Sequence, residues 1–194
     1  MNRLLLLLLG LSCAGTNVYF LRDPDPTALF QYHPLLTAVT LNILFPLAIQ
    51  EASQFKLTKS KALRDTAVNH HTYYGTLGLT LVYVFIGIAY YSKELNHKPH
   101  FATTHGQCGF CALVLAVVHL ICGFLVHYVL PPGNIKSTIR YAHNINSYLL
   151  TLFMIVTLLY GLETGYALRH VASSYLRYSL GSTPIVMMLL AASL

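Results

Sequence analysis

The 194-residue sequence has no tryptophan and only six carboxylates against twelve Lys and Arg, so charged residues make up 9% of the chain. A water-soluble domain of this size carries about 25% charged residues. Too little polar surface is left here to cover a globule in water, which argues against a soluble enzyme. Lipid is the solvent that fits a chain that is 55% hydrophobic with a mean hydropathy of +0.57. Without tryptophan, the 14 tyrosines must supply any aromatic belt at the membrane surfaces. No block of basic residues occurs: the net charge of +6 is spread between hydrophobic runs. That pattern points to the positive-inside bias and anionic headgroups, and away from nucleic acid. Four cysteines at 13, 108, 111 and 122 lie in apolar stretches, so no disulfide framework is indicated. No tandem repeat or low-complexity tract is visible.

A helix needs about 20 residues to cross a hydrocarbon core of about 30 Å. Six segments satisfy or approach this: approximately 4–21, 33–50, 68–91, 103–130, 141–168 and 175–194. Polar or Pro/Gly punctuation separates them, including Arg22-Asp23-Pro24-Asp25-Pro26, the stretch Lys56 to Asp65, Lys93 to Lys98, Pro131-Pro132-Gly133, and Arg169 to Ser174. Arg3 and Leu4–Leu9 followed by Ser12-Cys13-Ala14-Gly15 also have the form of a secretory signal; we read the stretch as a retained first helix. The expectation is an all-α, multi-pass integral membrane protein: one transmembrane domain over residues 1–194, built as a six-helix bundle. With the N-terminus inside, seven Lys and Arg lie on that face against five on the other, a slight bias toward that orientation.

Ionisable residues inside membrane helices are costly and tend to mark function. Ten histidines occur, and four stand near the expected first turns of successive helices: His33, His71 or its neighbour His70, His105 and His143. Helices alternate in direction, so His33 and His105 are expected at one face and His71 and His143 at the other. The four helices 2–5 would then form a haem-binding core with two same-depth histidine pairs. Two imidazoles on opposite faces of a macrocycle give iron no open position, a state suited to electron transfer. A lone membrane histidine is more often an interhelical hydrogen-bonder; four in face-matched pairs favour haem ligation.

The motifs His33-Pro34-Leu35-Leu36 and Thr104-His105-Gly106-Gln107, with a second histidine at His100, resemble those of the cytochrome b561 family in its short form. The spacings of 38, 34 and 38 residues between the four histidines are similar to that family's and select His71 over His70. The resemblance spans roughly residues 30–165. It implies two b haems, with His33 and His105 as ligands of the outer iron and His71 and His143 as ligands of the inner one. It also implies transmembrane oxidoreductase activity, in which an ascorbate-like donor inside reduces monodehydroascorbate or a ferric chelate outside. No further catalytic side chain is implied.

Arg140, three residues before His143, matches a basic position of the family and is a candidate partner for a haem propionate. The four residues before His71 are Ala67, Val68, Asn69 and His70, so the nearest cations on that helix are Lys61 and Arg64. These two are candidate substrate contacts inside, as Lys98 and His100 are outside. His119 lies 14 residues after His105, about 21 Å further along one helix; we read it as structural rather than as a ligand. Cys108-Gly109-Phe110-Cys111 lacks the following histidine of a c-type haem motif, and reads as packing. Pro46 is expected to kink helix 2, and Glu163 to pair near Arg169. The competing reading is a haem-bearing or purely structural subunit of a larger, for example respiratory, membrane complex. An endomembrane or the mitochondrial inner membrane is the expected location.

Overall fold

The computed structural model describes residues 3–23 and 28–193, so the expected turn at 24–26 lies outside the described residues. Every regular element among them is helical. These elements are α1 (Arg3–Leu21), α2 (Leu29–Leu57), α3 (Lys61–Leu95), α4 (Thr104–Val129), α5 (Asn134–Gly161), the short α6 (Gly165–His170) and α7 (Ser174–Ala192). Among the described residues, α1 to α5 are long and apolar enough to cross a membrane. The expected sixth span forms α7, whose 19 residues include Arg177 and Pro184; it is not one of those five. The chain is an all-helical integral membrane protein.

Two compact units are distinguishable. The first joins residues up to Lys98 with those from Leu162 onward, and the second is Pro99–Gly161. In the first, α2 is central and the most buried of the long helices. It packs on α1 and α7 through Leu6, Leu47, Met187 and Ala191, and on α3 through Gly78, where an added Cβ would lie 2.6 Å from the Phe45 ring. Lipid tails are as apolar as leucine, so close packing and polar contacts must hold such helices together. The α1–α2 crossing shows both. Gly10 lets α1 approach so closely that a Cβ there would come within 2.5 Å of the Asn42 carbonyl, and Arg3 pairs with the fully buried Glu51 of α2.

Near its middle, α2 takes a π-helical turn over Thr40–Leu44, just before Pro46. A proline cannot donate to the preceding turn, and the helix runs on through it to Leu57. The second unit is a hairpin of α4 and α5 joined by Leu130 to Gly133, with a further π turn at Leu125–Val129. Several helices extend beyond the lengths read from hydropathy. Helix α3 begins at Lys61, behind the N-cap position Ser60, and has 35 residues, about 52 Å at 1.5 Å each. Glu163 pairs with Arg177 at 3.5 Å, not with Arg169. Buried Arg177 also donates to the carbonyls of Val171 and Ala172. All four cysteines are free thiols.

Candidate functional site

The first unit carries His33 and His71, the second His105 and His143. His33 and His105 stand in the first turns of their α-helical stretches, as expected. Because α3 and α5 start earlier than hydropathy indicates, His71 and His143 instead lie two to three turns inside those helices.

All four rings are held in the same way. Each Nδ1 lies against a main-chain carbonyl of the neighbouring helix: His33 on Phe85 at 2.8 Å, His71 on Ala48 at 2.9 Å, His105 on Thr157 at 2.9 Å, and His143 on His119 at 3.2 Å. A carbonyl oxygen only accepts, so Nδ1 is the protonated nitrogen of each ring and the lone pair is on Nε2. Metal-binding imidazoles are oriented by this kind of second hydrogen bond, which fixes the tautomer and raises ligand basicity.

The bonds also set depth. His33 sits beside Phe85, 14 residues along α3 from His71, and His105 sits beside Thr157, 14 residues along α5 from His143. Each unit therefore presents two imidazoles at levels about 21 Å apart. His105, His143 and Thr157 each follow His33, His71 and Phe85 by 72 residues, whereas His119 follows Ala48 by 71. The π turn of α2 falls between His33 and Ala48 and houses the one extra residue. The two units thus repeat one motif, although no tandem repeat is visible in the sequence.

Two glycines leave room for the rings of the second unit. A Cβ on Gly161 would lie 3.2 Å from His105 Cε1, and one on Gly123 would lie 3.2 Å from His143 Cε1. The His119 ring stacks on His143 with centroids 3.8 Å apart, so His119 buttresses that imidazole through both its ring and its carbonyl. In the first unit, Phe30 stacks on His33 at 5.5 Å and Phe85 meets it edge-on. Imidazoles in fixed tautomers, with glycines beside two of them, fit b-type haem.

The candidate cations divide. Arg140 lines a shallow cavity of about 290 Å³ with Pro132, Gly133, Lys136 and Ser137, one turn before His143. No sequence motif marks Lys136; its position four before Arg140 puts both on one helix face. Lys61 and Arg64 are exposed on the first turn of α3, about 15 and 10 Å along the axis from His71, and are not brought to it. Lys98 is exposed in the following loop, and half-buried His100 lies beside Phe101.

The family model described as eukaryotic cytochrome b561 matches residues 32–168 and so takes in all four histidines. Nothing among the curated proteins matches the chain.

Proposed function

This chain belongs to the cytochrome b561 family of membrane oxidoreductases, which carry electrons across the bilayer on b-type haem, and from that premise we propose which residues hold the haem and which meet the donor. His33 and His105 hold one haem through Nε2, and His71 and His143 hold the other. The observation that carries this reading is the shared Nδ1–carbonyl bond, made four times at matching positions. When bound, b-type haem supplies a one-electron couple that changes charge without exchanging a ligand. The protein's part is to fix ring orientation, keep the tautomer, and set two levels within the hydrocarbon core.

The donor is a small anion of the ascorbate type, docked at Lys136 and Arg140. Two cations beside a cavity at the start of α5 add to the positive end of the helix dipole, a suitable environment for an enediol monoanion. The acceptor on the other side is monodehydroascorbate or a ferric chelate.

A reduced-minus-oxidised spectrum and a pyridine-haemochrome count on purified protein test the haem assignment, with two haems per chain expected. Mixing with ascorbate tests the donor site. Arg140→Ala should raise the ascorbate KM about tenfold, equivalent to about 1.4 kcal/mol of binding, with an unaltered spectrum. One haem or none, or an unchanged KM, removes the corresponding half of the reading.

A further inference from the structure

At the end of α1, and in the same unit as His33, an opening of about 460 Å³ is lined by Tyr19, Phe20, Arg22, Asp23 and His170. That volume is in the range of small-molecule sites. The Arg22 guanidinium lies over the Tyr19 ring, 5.1 Å from its centroid. His170 has its Nδ1 2.9 Å from the Tyr166 carbonyl and its Nε2 3.4 Å from Asp23 Oδ2. Both partners accept, so a proton on either ring nitrogen faces an acceptor. An imidazole facing a carboxylate, beside a guanidinium, gives the opening the fixed positive charge of Arg22 and, at His170 Nε2, a site that can hold and release a proton.

The opening is joined to His33 by packed rings. His170 stacks on Tyr166 at 4.0 Å, Tyr166 meets Phe30 at 5.1 Å, and Phe30 stacks on His33 at 5.5 Å. Tyr166 is not itself the acid. Its hydroxyl donates to the Leu21 carbonyl at 2.7 Å; burial first, then nearby Asp23, pushes its pKa up to about 12 against the opposing pull of Arg169.

We propose that this opening docks a small organic radical oxyanion and that His170, poised by Asp23, is the proton donor when that species is reduced. The inference rests on the haem assignment above, which supplies the electron. The step is balanced. The radical monoanion of an enediol acid takes one electron from the reduced protein and one proton from His170 Nε2. The N–H bond breaks, an O–H bond forms on the substrate, and the closed-shell enediol monoanion leaves. Asp23 then holds the ring as water returns the proton. Arg22 supplies the charge that attracts the radical anion.

The test uses the full-length, haem-loaded protein, reduced and then mixed with one of two oxidants. The ascorbate radical takes an electron and a proton, whereas ferricyanide takes an electron alone. His170→Gln should slow reoxidation by the radical about a hundredfold and abolish its solvent deuterium isotope effect, with ferricyanide rates within about twofold of wild type. Asp23→Asn should slow the radical reaction in the same selective way and provides a second variant should the first fold poorly. Binding is read separately: ascorbate should protect His170 from carbethoxylation by diethyl pyrocarbonate, followed by mass spectrometry, relative to dithionite-reduced protein without ascorbate. Equal slowing with both oxidants, no slowing with either, or no protection overturns the proposal. The haem count and spectrum of the same preparations separate this failure from that of the haem assignment: two haems with an indifferent His170 sinks only the proton donor.

Discussion

His143 and His119 lie face to face, their ring centroids 3.8 Å apart and their planes within 23°, while the His119 carbonyl accepts the proton of His143 Nδ1. The carbonyl is main-chain and survives substitution; the stacked ring does not. His119→Ala should therefore keep two haems per chain but lower thermal stability, by about 1 kcal/mol for the lost ring pair. A haem count of one after this change would instead make His119 a ligand.

His105→Ala should remove one haem and leave the other, since His143, the second imidazole of the same unit, stands at a level about 21 Å away. Pyridine-haemochrome stoichiometry on the purified variant would fall from two to one. An unchanged count would defeat the assignment of His105.

Gly161 makes the same point by a different route. A Cβ there would already press on His105 at 3.2 Å, so Gly161→Val should force the ring off the Thr157 carbonyl and mimic His105→Ala in haem content. Gly109, whose added Cβ would meet only the Thr157 methyl at an ordinary 3.6 Å, is the control: Gly109→Ala should keep both haems.

The Arg3–Glu51 pair ties α1 to α2 with the carboxylate side chain fully buried and the arginine 46% exposed. Breaking a wholly buried pair costs about 3–5 kcal/mol, chiefly by stranding the remaining charge. The partial exposure of Arg3 reduces this, and Arg3→Ala should cost about 2 kcal/mol, seen as a lower melting temperature in detergent. Arg3→Met combined with Glu51→Met should recover most of the loss.

The Tyr166 phenol, with its pKa pushed up to about 12, favours the folded state in its neutral form. Its contribution is complete below pH 10, the ordinary tyrosine value, and is lost as pH rises from 10 through 12. Tyr166→Phe should flatten the stability profile across that alkaline window. A profile unchanged by the substitution would place the sensitivity on other groups.

Helix existence was legible because a hydrocarbon core demands long apolar stretches, and α1 to α5 coincide with five of the six expected spans. Helix ends were less legible. Membrane thickness limits the apolar stretch, not the hydrogen-bonded helix, so α3 reaches back to Lys61 and α5 to Asn134 through exposed turns that hydropathy cannot see. That is why His71 and His143 lie inside their helices rather than at their first turns. Composition and position made histidines near the helix starts candidates, since imidazoles are rare and expensive among aliphatic side chains, and the likeness to the family's spacing took His71 over His70.

The sequence by itself determined the solvent and the helical class and offered the candidate haem ligands, because these follow from composition and from distances along the chain. Only the tertiary structure decided which nitrogen of each ring bears the proton, since the acceptor carbonyls belong to other helices, 23 to 52 residues away. It also decided that Glu163 meets Arg177 and that His170 faces Asp23. Such pairings arise from the packing of separate helices, and no periodicity along a single helix encodes them.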